Sequence, residues 1–198
     1  IQQAPPIPGQ VVTTDGRLLF TGSTIQDGQN VWQSIGGQEI GSIWGHGAYV
    51  APDWSADWLH REATFILDAW ARRDGASSFN SLGAEKQAAL QARLRALMRT
   101  NTYNPRTNSI TRDPVRAAAF DSLAAHYADV FGNGRSEYAI PRGALTDVQK
   151  QRQMAAFFWW TSWAASTNRP GEEVTYTQNW PSEPLVGNAP TAASLVWS

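Results

Sequence analysis

Asp53, Asp57, His60 and Glu62 fall in one short stretch and have the side-chain types that general acid–base chemistry uses. Two carboxylates serve glycoside hydrolysis when they face each other about 5 to 9 Å apart across a cleft. Asp53 and Asp57 reach that separation at helical spacing, but on one helical surface rather than on opposite walls. Acidic side chains at a helix start are favoured by the helix dipole, so a helix-end role is the expected one for this pair. Of the three histidines, His126 lies among apolar neighbours, where a hydrogen-bonded core or surface histidine is expected. His46, between two glycines, is the more informative. No His-x-x-x-His, Gly-x-Ser-x-Gly or phosphate-loop pattern accompanies any of them. The chain has no cysteine, which removes thiolate nucleophiles, disulfides and thiolate metal sites together.

The elements that would position these residues are mostly helical. With 198 residues, 17% of them charged, and a net charge of -1, the chain is long enough for one domain with a substantial core. Lys86 and Lys150 are the only lysines among 16 basic residues, and no basic stripe forms, which argues against a nucleic-acid partner. No apolar run reaches the roughly 18 residues of a membrane span. IQQAPPIPGQ lacks the basic and apolar regions of a signal peptide. Val11 and Val12, an Asp15-Gly16 turn signal and Leu18 to Phe20 predict a small hairpin. Thr24, with Asp27 as its capping-box partner, predicts a first helix over 24–35 that stops at Gly36-Gly37. A second helix is predicted from Asp53 to Gly75 and a third over 84–99, with Leu90, Leu94, Leu97 and Met98 on one stripe. NTYNPRTNSITRD reads as a polar loop. Asp113-Pro114 starts a fourth helix that runs to Phe131, and Thr146 begins a fifth, DVQKQRQMAAFFWWTSWAAS. The second half of that helix is apolar on nearly every face, the mark of a helix buried all round or placed against another protein surface. From Asn168 the chain is irregular and Pro-punctuated.

Ten tryptophans stand out, in two groups: Trp32, Trp44, Trp54, Trp58 and Trp70, then Trp159, Trp160, Trp163, Trp180 and Trp197. Such rings fill cores and also mark interfaces. As sugar-stacking platforms they would make the chain a secreted Trp-rich ligand-binding module for cell-wall or carbohydrate fragments, although they cluster on predicted helices rather than on strand faces.

GQNVWQSIG, from Gly28 to Gly36, followed by GQEIG resembles the start of a c-type cytochrome domain, in which such a helix leads into Cys-x-x-Cys-His. Gly37 and Ile40 stand at the cysteine positions and Gly41 at the histidine position, so all three haem-attachment groups are missing. GHGAYVAP, from Gly45 to Pro52, resembles the segment that follows the attachment motif in the haem-c subunit of cytochrome-dependent nitric oxide reductases. With haem attachment lost, and with FFWWTSWAASTNRPG and TYTQNWPSEPLVGNAP further on, the chain is most similar to the outer domain of quinol-dependent nitric oxide reductases. The resemblance is weakest over 72–145.

The resemblance implies a mainly α, cytochrome-c-like fold without haem, the first helix pairing with the last, preceded by a short β-hairpin. It implies a single periplasmic domain: an extended lead-in over 1–23, a helical body over 24–167 with an insertion over about 72–145, and an irregular exit over 168–198. IQQAPPIPGQ would then follow one transmembrane helix, and SLVWS would lead into the next. In the full enzyme two nitric oxide molecules become nitrous oxide and water at haem b and non-haem iron, whose ligands lie in the membrane part, so no catalytic residue is expected here. The implied partner is the chain's own transmembrane catalytic domain, beside the membrane surface at the periplasmic face of the bacterial inner membrane. Gly47 and Tyr49 match calcium-contacting positions, with His46 where a glutamate stands in relatives; calcium is expected there only together with the membrane part. Trp44, Trp32, Ile40 and fifth-helix residues are expected to fill the volume of the lost haem. Phe157, Phe158, Trp159, Trp160 and Trp163 are expected to serve partly as an interface, since five rings in seven residues exceed what one side of a core can take.

Overall fold

The computed structural model describes residues 4–189, so Trp197 and the SLVWS segment lie outside the described residues. Helix α5 (Val148–Ser166) is the centre of the molecule, capped by the Asp147 side chain, which accepts from Lys150 N at 2.9 Å. From Met154 to Ser166 every one of its residues is buried. Helix α1 (Gly22–Ser34) packs along it, as the cytochrome-like arrangement requires. Gly28 sits at the crossing, where a Cβ would come 2.9 Å from Phe157 Cβ and closer still to the Gln153 carbonyl, so only glycine permits this approach. Helices α2 (Trp54–Arg73) and α4 (Pro114–Asn133) cover other sides of α5.

Successive rings of α5 address different neighbours. Phe157 meets Trp32 of α1 at 5.9 Å, and Phe158 stacks on Trp54 of α2 at 5.6 Å and 9°. Trp159 meets Phe20 edge-on at 5.1 Å, Trp160 meets Trp44 at 5.6 Å, and Trp163 meets Tyr176 at 5.5 Å. A helix turns about 100° per residue, so rings that would crowd one side of a core are dispersed when neighbours surround the helix. This corrects the expectation of an interface. Phe157, Phe158, Trp159 and Trp163 are at most 4% exposed, and even Trp160, at 9%, spends its indole N–H on the Pro6 carbonyl at 2.9 Å.

Two further expectations are corrected. Thr21, not Thr24, is the N-cap of α1; Thr24 is its partner in a reciprocal capping box, and Asp27 instead accepts from Gln153 Nε2 at 3.2 Å. The segment expected to be a polar loop forms β5 (Tyr103–Asn104) and β6 (Ser109–Arg112). Strand β6 runs parallel to β1 (Gln10–Thr13), which pairs antiparallel with β2 (Leu18–Thr21), giving a four-stranded sheet in the order β2-β1-β6-β5. Val11 and Ile110, directly paired, are both fully buried against the helices. Their apolar burial outweighs the low strand propensity of their polar neighbours.

A second apolar cluster lies on the other face of α2. There Leu59, Ile66 and Trp70 pack with Leu94 and Met98 of α3 (Ala84–Arg99) and with Val186. The irregular segment after Thr167 is tied down by Asn188, whose Nδ2 donates to Ala165 O at 2.7 Å and Pro181 O at 3.1 Å. Among the described residues no helix is long and apolar enough to cross a membrane.

Candidate functional site

The Gly-rich connection between α1 and α2 has a backbone shaped by close packing as much as by regular structure, with positive φ at Gly36, Gly41, Trp44, Gly45 and Gly47. Gly36, at φ 74°, ends α1, and a single helical turn at Gly37–Glu39 follows. A hairpin of β3 (Ser42–Ile43) and β4 (His46–Gly47) comes next. Its two turn residues, Trp44 and Gly45, both have positive φ, 53° and 83°, as a type I′ hairpin requires. Tryptophan rarely accepts that backbone. Here its indole N–H donates to Thr161 O at 2.8 Å, and its backbone N–H donates to Ser55 Oγ at 3.0 Å.

Asp53 organises the hairpin. Its Oδ2 accepts from Gly45 N at 2.7 Å and from Ser42 Oγ at 2.8 Å, while Oδ1 accepts from Ala56 N at 2.9 Å and caps α2. One carboxylate thus fixes both the loop and the following helix. The sequence indicated only its helix-capping half, because the Gly45 contact depends on the hairpin turning back.

The inner side of this connection is filled by indoles. A Cβ at Gly37 would lie 2.5 Å from Trp32 Nε1 and closer to the ring carbons. A Cβ at Gly41, whose φ is 140°, would lie 2.8 Å from Trp54 Cε2 and closer to its Nε1. Trp32 is 3% exposed and Trp54 fully buried, and neither buried indole N–H finds an acceptor among the described residues. Rings placed without their hydrogen bond are there for volume. Trp32 was expected as a filler; Trp54 was not, and Trp44 lies over Trp160 rather than against these glycines. Ile40 is partly buried against the main core. A cytochrome-type haem does not fit these residues: no thiol or imidazole stands at 37, 40 or 41, and the indoles leave neither glycine room for a side chain.

The outer side is open. At Gly47, whose φ is 145°, a Cβ would run into the Gly41 carbonyl; His46 is exposed, and Tyr49 is 89% exposed with Val50 beside it. Among the described residues no group of three or more His, Cys, Asp or Glu side chains could hold a metal.

The remaining candidates take structural roles. Asp57 accepts from Arg61 Nε at 2.8 Å and from the Tyr127 hydroxyl at 2.7 Å; burial, then the Asp57 charge, pushes the Tyr127 pKa well up. Glu62 pairs with Arg116 at 2.6 Å, and its other oxygen accepts from Trp58 Nε1 at 3.2 Å. His60 Nδ1 lies 2.8 Å from Glu183 Oε2. His126 is half-buried, and burial followed by the nearby Arg61 charge lowers its pKa. Asp53 and Asp57 therefore frame no cleft, in keeping with the helix-end reading.

A mainly helical domain whose first and last helices pair, with a Gly-rich loop after the first, has a cytochrome-c-like fold. The family profile of the NorB cytochrome c-like domain of nitric oxide reductase matches residues 8–182, and the chain belongs to that family. A comparison with curated proteins returns no match.

Proposed function

We propose that the chain is the haem-free outer domain of a quinol-dependent nitric oxide reductase, a non-catalytic cover on the periplasmic side of the membrane-embedded catalytic part. The observation that carries this reading is the filling of the attachment loop: glycines at 37 and 41, each pressed by an indole, stand where a haem-bearing relative needs a cysteine and the iron-ligating histidine. A lipid-soluble quinol can reach the membrane haem directly, so a relay haem in this domain becomes dispensable. The domain's work is then to shield the membrane haems from water and to contact the membrane part. Tyr49 supports that contact. It projects into solvent just after the β3–β4 hairpin and makes no side-chain hydrogen bond among the described residues, which leaves its oxygen free to join Gly47 in a calcium site completed by the membrane part. Calcium takes six to eight oxygen ligands, so the chain alone supplies too few.

The deciding experiment uses the full-length enzyme. Nitric oxide turnover is expected with a quinol donor and not with reduced cytochrome c, and denatured protein is expected to show no covalently bound haem. A Soret band that survives denaturation and extraction would overturn the reading. The carbohydrate-module alternative finds no platform, because no tryptophan among the described residues is exposed.

A further inference from the structure

The junction of β6 and α4 buries more positive charge than it neutralises. Arg112 ends β6, and Arg116 lies in the first turn of α4; both are 2% exposed. Among the described residues Glu62, 1% exposed, is the one buried carboxylate against them, and it is committed to Arg116 Nε at 2.6 Å. Among the described residues four guanidinium nitrogens are buried without an acceptor: Arg112 Nε and Nη2, and Arg116 Nη1 and Nη2. The other nearby acids are unavailable. Asp15 is exposed and bound to Thr13, and Asp113 is exposed and caps Val115 N at 2.8 Å. The face of Trp159, 4.6 Å from Arg112 Cζ, offers only its ring quadrupole. Burial and the Arg116 charge push the Arg112 pKa down, yet a guanidinium keeps its proton in proteins, so the charge stays.

We propose that this junction holds one small monovalent anion of chloride size between the Arg112 and Arg116 guanidinium groups. Orphaned buried donors call for acceptors, and an unpaired buried charge is unfavourable in addition. Water satisfies the first need and not the second. A carboxylate from another molecule cannot reach side chains this buried, whereas a single ion enters through local opening. The site is independent of the haem-attachment loop and of the proposed function.

Thermal unfolding of the chain at constant ionic strength, with chloride replacing gluconate, tests the site. The expected result is a rise in Tm that saturates with chloride, is matched by bromide, and disappears in Arg112→Met, which keeps the aliphatic packing and removes the charge. A flat Tm, or a rise that Arg112→Met shares, would overturn the proposal. If Arg112→Met does not fold, crystals of the unsubstituted chain grown in bromide decide the matter. An anomalous peak within hydrogen-bond distance of both guanidinium groups supports the site, and water density alone there removes it.

Discussion

The two sides of the connection between α1 and α2 differ sharply, although they belong to one continuous Gly-rich stretch. On the inner side Gly37 and Gly41 are locked against Trp32 and Trp54, with no freedom to carry a side chain. On the outer side, a few residues later, Tyr49 and Val50 stand in solvent. The inner side is part of the core, while the outer side exposes an aromatic residue. On the proposed reading, the volume of a lost cofactor has been refilled while the loop keeps its path and the residues it presents outward.

Substitutions can break that comparison. Gly41→Ala is expected to have the largest effect, because the new Cβ meets Trp54 and the Pro52 carbonyl at a φ that alanine rarely adopts. Loss of about 3–5 kcal/mol in urea unfolding is expected, and a curve superimposable on the parent would show that the inner side is not locked. Asp53→Ala removes the α2 cap and the tie to Gly45, and should cost about 1–3 kcal/mol, with faster amide exchange at Ser42–Gly47. Unchanged exchange there would mean that the hairpin holds itself. Tyr49→Phe should leave the domain's stability within about 0.5 kcal/mol while lowering calcium retention and turnover of the full-length enzyme. Unaltered calcium content and turnover would reduce Tyr49 to an ordinary exposed side chain.

The smallest effect lies outside both sides and serves as a control. The folded His126 pKa is lowered, so the unfolded state binds the proton more readily, and stability falls as pH drops below the unfolded value of about 6.5. His126→Gln should flatten that acid-side slope in pH-dependent melts while leaving the response to Gly41→Ala unchanged.

Much of this was legible in the sequence. Helix α3 was expected at its observed bounds, and the other helices within a few residues, because capping residues and apolar stripes are local signals. The first helix missed its start because Thr21 and Thr24 both suit a cap, and only the reciprocal bond between them identifies Thr21 as the N-cap. Strand β6 was missed because its longer pairing is with β1, about a hundred residues away and parallel, which leaves no turn signature, while its antiparallel pairing with β5 covers only two residues on each strand. At the site, Gly37, Ile40 and Gly41 could be placed by pattern. Trp54 could not, since its helical spacing predicts burial without saying which loop it is buried against. The five rings of α5 were read as too many for one core because periodicity gives a helix's faces, not the number of neighbours that cover them.

The central position of α5 also bears on how the chain is made. As synthesis proceeds from the N-terminus, α1, α2, α4 and the sheet all emerge before the helix on which they converge. Until residues 148–166 are available, Trp32, Trp54, Phe20 and Tyr127 have no α5 ring to pack against, and the apolar faces turned toward α5 stay uncovered. Such intermediates are the ones that aggregate or engage chaperones. The packing that converges on α5 can be completed only after that helix is available.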